Sequence, residues 1–533
     1  MSELIFDVAV IGGSLGGVQA ALSAAGQGKT VYLCEETDWV GGQLTSQAVP
    51  PDEHPWIESC GCTRSYRAYR NAVRDYYRCH PQAAAPLRNG DPVRPGGAWV
   101  SAVAHEPTLA HRILTELLAP HVEAGRITLR LNARAVSSVV RGRRIESVRV
   151  EDMALRRFED VRARFFLDAT DCGDLLPIVG ARYRTGAESR QETGEPHAPE
   201  HVLPDDMQPC TWVAALELSH AEPPEPMARP ALYELFRAAR APYADMPLLS
   251  WYGPDAATGR ETRFAMFDED DPMHCGGLWR YRRIIAREEY TDGRPDVTLF
   301  NWPQNDYGFG NLYDDPGAAA HRELARQLTL CAAYWLRYDA PRPDGVRGYP
   351  VRLRPDITGT ASGLAKAPYI RESRRICALH TVCEQEISRE FAPGILRRAD
   401  SVGIGHYAID IHPTTRTHSF FYSPAWPLEI PLSAMIPLDR DNLIPACKNI
   451  GCTHLTNGCF RLHPVEWNIG EAAGLLASFC IDRGLDPLGV LNTQLAAFQA
   501  LLSDNGIPLH WDARCSHAAQ TPAPNDTDKE NGT

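Results

Sequence analysis

The sequence predicts an α/β fold: a domain built on parallel strands at both ends of the chain, with a mixed α+β domain inserted between its parts. Three observations predict it. The chain opens with an apolar run, a glycine-rich turn and a helix of small residues, followed by a second apolar run. The same glycine-rich character returns over residues 433–480. Between them, over about 181–431, the pattern loosens, with frequent aromatics and prolines and no clear repeat.

Each element has its own reason. Residues 6–11 (FDVAVI) read as a short apolar strand, 18–25 (VQAALSAA) as a small-residue helix, Gly28-Lys29 as a turn and 30–34 (TVYLC) as a second strand. Together they make one βαβ unit, whose natural outcome is a parallel pair. Residues 39–97 are rich in Gly, Pro, Tyr and Arg and predict loops with one helix near 66–77. A helix over 105–118 follows, then alternating strands over 127–150 broken at Arg141-Gly142-Arg143, then a strand over 161–169 that ends in an acidic turn. Residues 321–338 and 375–392 read as helical. The expected domain map is 1–180 and 432–490 for the two parts of one domain, 181–431 for the insert, 491–515 for a C-terminal segment and 516–533 for a disordered Pro/Asn/Asp/Thr-rich tail.

The chain has 533 residues, 44% of them hydrophobic, enough for a large core. Its 54 basic and 67 acidic residues leave a formal charge of -13, so the bulk charge offers no general attraction to nucleic acid or anionic lipid. The opening residues lack a secretory signal pattern and no apolar run has membrane-spanning length, so a cytoplasmic location without membrane partners is the expectation. Fifteen cysteines, an odd count, argue against a complete disulfide framework. Cys60-Gly61-Cys62 is the one close pair, with no further ligands at metal-binding spacing nearby, and no metal is expected.

The turn after the first strand is Gly12-Gly13-Ser14-Leu15-Gly16-Gly17. In the G-x-G-x-x-G reading, Gly12 permits the tight turn, Ser14 replaces the central glycine and Gly17 lets helix and strand approach. Backbone amides at the helix N-terminus then bind a pyrophosphate. Glu35 ends the second strand, where a carboxylate accepts hydrogen bonds from a ribose. This is a Rossmann-type dinucleotide site.

Three further segments narrow the reading. The loop 36–44 carries Gly41-Gly42-Gln43. The run 165–174 (FFLDATDCGD) contains Asp171. Residues 449–454 (NIGCTH) lead to 461–474 (RLHPVEWNIGEAAG), with Gly470 and Glu471. With 97–107, 301–307 and 368–375, they make the chain resemble the FAD-dependent oxidoreductase family distantly related to fumarate reductase and succinate dehydrogenase flavoproteins, over about residues 5–485. The resemblance implies a glutathione-reductase-like FAD domain and a non-covalently held FAD. It implies that Gly41 and Gly42 let the backbone run under the flavin, and that the late helix points its N-terminus at the pyrimidine edge, where reduction builds negative charge. The His-Arg arrangement of a fumarate reductase is missing, so succinate and fumarate are not carried over. A second dinucleotide fingerprint is also missing.

A flavin needs its substrate oriented and a proton managed. On a strand, His406, Ala408, Asp410 and His412 share one face, which sets a carboxylate beside the His412 imidazole. Arg371, Arg374 and Arg375 would lie near one helical face and could anchor a carboxylate, or pair with Glu372 or Glu384. His454 follows the Gly451 turn. The candidate catalytic residues are therefore His412, His454, Arg374 and His406, with a structural role the competing reading of each. Trp302 and Tyr307 read as pocket walls or core, and His105 as structural or pocket-lining. The expected function is a dehydrogenase or oxidase that moves a hydride from a small organic substrate to flavin N5. An NAD(P)H-dependent flavin monooxygenase or reductase, and a non-catalytic flavin-binding partner module, are the alternatives.

Overall fold

The computed structural model describes residues 3–219, 225–270 and 277–512. Strand β1 (Glu3–Ile11) leads through the glycine turn into helix α1 (Leu15–Gly26), and β2 (Val31–Glu35) follows. The Ser14 hydroxyl caps α1 by accepting from the Gly17 amide at 3.3 Å. Helix α2 (Arg64–Arg78) covers the predicted 66–77 helix. Helix α3 (Pro107–Glu123) starts where Pro107 supplies a preset N-terminal turn, two residues later than predicted. Then come β3 (Ile127–Leu131), β4 (Ala133–Arg141), β5 (Arg144–Asp152) and β6 (Arg157–Asp168).

These strands form one sheet in the order β3-β2-β1-β6-β5-β4. A last strand, Leu443–Pro445, comes back from late in the chain and pairs parallel with β6, Pro445 opposite Asp168. Ile11 of β1 also lies opposite Asp168, and Cys34 of β2 opposite Ile11. The carboxyl ends of four parallel strands thus meet at the glycine turn, the edge where open α/β sheets bind ligands.

The long helix His463–Arg483 closes the fold and is buried from His463 through Ile481, as a helix surrounded by core must be. It lies against α1 along a seam of small residues. A Cβ on Gly470 would sit 2.1 Å from the Gly16 oxygen, and one on Gly474 2.2 Å from the Ala20 oxygen. Only hydrogen side chains allow that approach.

The middle of the chain builds a separate layer. Arg283–Ile285, Val297–Phe300, Ala214–Leu218 and Val351–Leu353 form an antiparallel sheet in that order. Helix Ala318–Tyr338, as predicted from 321–338, packs with it in a second apolar core that contains Phe300, Trp302, Tyr307, Trp335 and Tyr349. Trp302 and Tyr307 are core residues there. Their neighbour His105 in the expectation is structural too: it is buried, its ring bonded to the Tyr69 hydroxyl at 2.7 Å and to the Val103 oxygen.

The predicted helix over 375–392 does not form. Arg375–Ile376 is a strand, and only Glu384–Ile387 makes a helical turn. Arg375 and Glu384 are fully buried: Arg375 pairs with nearby Glu372, as the sequence allowed, and also with distant Glu188, while Glu384 pairs with His197, so tertiary pairing overrides local helix preference. The C-terminal segment forms two short helices, Pro487–Thr493 and Leu495–Asp504. The tail expected over 516–533 lies outside the described residues. No described helix is long and apolar enough to cross a membrane.

Candidate functional site

At the glycine turn Gly12, Gly13, Gly16 and Gly17 are all crowded. Gly12 has φ +99°, and a Cβ there would lie 2.4 Å from the Ala169 carbonyl carbon. The Gly13 amide donates to Glu35 Oε2 at 2.9 Å, while Glu35 Oε1 accepts from the Thr37 amide and hydroxyl, each at 2.9 Å. Burial pushes the Glu35 carboxyl up to about 7. The Gly41 amide donates to the Gly13 oxygen at 2.7 Å, and Gly42, at φ +49°, would bring a Cβ to 3.0 Å from Ser14 Cα. The structure therefore gathers Gly12, Gly13, Ser14, Gly16, Gly17, Glu35, Gly41, Gly42 and Gly470 around one turn. Gln43 and Asp171 join through two residues that the sequence did not single out, Lys448 and Glu466.

Glu466 Oε1 accepts from the Gly16 amide at 3.3 Å, and Oε2 from the Gln43 side chain at 2.5 Å. The fully buried Lys448 ammonium stands 2.7 Å from Asp171 and 3.5 Å from Glu466. Asp171, Cys447 and Glu466 also bring potential metal ligands within 4.8 Å of one another. The Lys448 ammonium lies among them, 3.6 Å from the Cys447 sulfur as well. Glu471 makes its hydrogen bond elsewhere. One residue on from Gly470, it accepts from Ser65 on α2, and burial pushes its carboxyl up to about 7.

These residues fit a dinucleotide. The turn supplies close backbone, Glu35 a ribose acceptor and Lys448 a cation. Gln43 Oε1, Asp168 Oδ2, Asn457 Oδ1 and Arg461 Nε are buried polar atoms with no hydrogen-bond partner among the described residues, and a polar cofactor can satisfy them.

A second polar cluster lies around strand Ile409–Ile411, against which helix His454–Phe460 packs. His412 Nδ1 is 2.9 Å from Asp306 Oδ2, and its Nε2 is 3.7 Å from Asp410 Oδ2. Arg371 donates to Asp306 at 2.9 Å, and Arg461 to Asp410 at 3.0 Å. Burial alone would raise both carboxyls. For Asp306, Arg371 and His412 outweigh it, and for Asp410, His412 and Arg461 do, so each is held at about 2. Arg282 closes the group with two bonds to Asp52, at 2.8 and 3.2 Å. Most of this cluster is buried, but the His412 side chain is 30% exposed.

His454 belongs to a third, adjoining group. Its Nδ1 is 3.0 Å from Glu372 and its amide donates to Glu188 at 2.9 Å. Burial lowers its pKa, but Glu372 reverses this and raises it. Gln208 joins the two groups: its amide donates to Glu372 at 3.0 Å and its side-chain oxygen accepts from the His412 amide at 3.4 Å. A cavity of about 20 Å³ beside Gln208, Arg371 and Glu372 is large enough for one water.

Two candidates lie elsewhere. The regular strand covers only three residues, so the face shared by His406 and His412 does not exist. His406 packs on Trp56 with ring centres 4.8 Å apart, and burial and the nearby His54 lower its pKa to about 3. It is therefore neutral near pH 7. Arg374 is not on a helix. It makes two hydrogen bonds to Asp314, one to Asp174 and one to the Cys172 oxygen.

The fold and this edge define a dinucleotide-binding α/β protein. The chain belongs to the FAD dependent oxidoreductase family, whose model matches residues 7–502, and FAD is its cofactor. It is an enzyme family. No curated protein matches the sequence. Among solved structures, the chain is similar to the myxobacterial chondrochloren halogenase CndH (17% identity over 42% of this chain and 46% of that one, TM-score 0.24). It is also similar to the flavin-dependent monooxygenase PieE (15%, 61% and 47%, TM-score 0.28) and to a geranylgeranyl bacteriochlorophyll reductase-like protein from Thermoplasma acidophilum (9%, 99% and 99%, TM-score 0.31). The chain thus spans about half the length of the first two, and the low scores say nothing about its reaction.

Proposed function

We propose that the protein is an FAD-dependent dehydrogenase or oxidase that takes a hydride from a C–H bond next to nitrogen or oxygen, or from a C–C bond being desaturated, on a small organic molecule. The observation that carries this reading is His412, a partly exposed imidazole held between two buried carboxylates that are themselves held ionised. FAD, when bound, supplies the hydride acceptor N5.

The chain's residues then manage the proton. Arg371 keeps Asp306 ionised, and Asp306 accepts the Nδ1–H of His412 and fixes the ring's tautomer. Nε2 is left to take the substrate proton, and Asp410 stabilises the imidazolium. His454 and Glu372 form a second ion pair behind this group, linked to it by Gln208. The parallel sheet closed by Leu443–Pro445 supports a glutathione-reductase-like FAD domain, with the antiparallel sheet of the middle segment as an inserted substrate domain over about 181–431.

The test is anaerobic flavin reduction, followed in the oxidised-flavin band, with small amines, alcohols and acids and with NADH and NADPH added separately. Bleaching by an organic substrate without nicotinamide is the expected result. Bleaching by NADH or NADPH alone would overturn the reading.

A further inference from the structure

The N-terminus of α1, where a dinucleotide's phosphates belong, is in contact with a carboxylate in this chain. Glu466 reaches it from the helix His463–Arg483, accepts from the Gly16 amide at 3.3 Å and from Gln43 Nε2 at 2.5 Å, and lies 3.5 Å from Lys448 Nζ. A phosphate oxygen would seek the same amide and the same ammonium. Lys448 and Glu466 are both fully buried, so their charges are weakly screened and cannot be ignored by an incoming anion. With Asp171 the group carries two negative charges and one positive, which would repel a pyrophosphate while Glu466 stays in place. A second feature points to a ligand. The Gln43 side chain is fully buried against Glu466, and its Oε1 has no partner among the described residues. A hydrogen-bond donor on a bound cofactor would satisfy it.

We propose that Lys448 is the cation that meets the FAD pyrophosphate and that Glu466 holds the Gly16 amide until the phosphate arrives. On binding, a phosphate oxygen takes over the amide and Lys448 turns from Glu466 to the phosphate, while Asp171 keeps the ammonium oriented. The inference rests on the family's cofactor and not on the dehydrogenase reading.

The experiment strips the full chain of FAD and titrates it back with FAD and, separately, with riboflavin, which has no phosphate. The variants are K448M, K448R and E466Q. K448M should weaken FAD binding by about 10- to 100-fold, the range for a lost charge-assisted hydrogen bond, and change riboflavin binding by less than about two-fold. K448R should retain most of the affinity. E466Q should bind FAD more tightly than wild type. Equal losses for FAD and riboflavin in K448M, or a loss in E466Q as large as in K448M, would overturn the proposal. If K448M does not fold, E466Q decides: tighter FAD binding supports the proposal, and unchanged or weaker binding overturns it.

Discussion

Nδ1 of His412 lies 2.9 Å from a carboxylate oxygen of Asp306, and the other oxygen of Asp306 accepts from Arg371 at the same distance. The imidazole is oriented by an acid that is itself anchored. Replacing His412 with Asn should therefore remove proton transfer while leaving FAD in place. The rate of anaerobic flavin reduction by substrate should fall by about 10²- to 10⁴-fold. An unchanged rate, at unchanged flavin content, would remove the acid–base role.

Asp306 also makes a stability prediction. Its folded pKa, about 2, is below the ordinary 3.8. Stability from its ionised form is thus present above about pH 4 and lost as pH falls through about 2. D306N should lose about 3–5 kcal/mol at neutral pH, because Arg371 stays buried without its anion. Its stability should then decline less steeply than wild type in acid, as read by urea melts across that window. Parallel profiles would show that Asp306 is not coupled to folding.

Glu35 carries the opposite sign. Burial raises its carboxyl from 4.5 to about 7. That contribution is fully present below pH 4.5 and lost as pH rises through about 7. The FAD-free wild type should therefore lose melting temperature on passing from about pH 5 to 8, and E35Q, which cannot ionise, should lose less. Equal losses would mean that Glu35 does not titrate in this range.

The seam between α1 and the closing helix should tolerate no added methyl. G470A would place a Cβ 2.1 Å from the Gly16 oxygen. It should cost at least about 1–3 kcal/mol in denaturant melts and weaken FAD retention, since the turn must shift. G26A is the control: nothing lies within 4 Å of its new Cβ, and its stability should match or exceed wild type.

Much of the cofactor edge was legible in the sequence because its causes are local. A strand, a turn needing positive φ at Gly12, a small-residue helix and an acid at the end of β2 lie within about thirty-five residues of one another, and each is set by its own backbone requirement. His412 beside Asp410 was legible for the same reason. Lys448 and Glu466 carried no such signal, for one sits in a turn and the other inside an apolar helix.

The sequence by itself determined the parallel sheet's first unit, the glycine turn and the dinucleotide chemistry, since these depend on short-range sterics and hydrogen bonding. Only the tertiary structure decided which charges meet. Asp306 finds His412, Asp171 finds Lys448, Asp52 finds Arg282 and Arg375 finds Glu188, each from a distant part of the chain. In sequence, Arg371, Arg374 and Arg375 look like neighbours on one helical face with local partners. Burial makes an unpaired charge costly, so the fold brings in partners from afar, and that pairing replaced the expected helix over 375–392 with a short strand, loops and one helical turn, and tied Arg374 to Asp314 and Asp174.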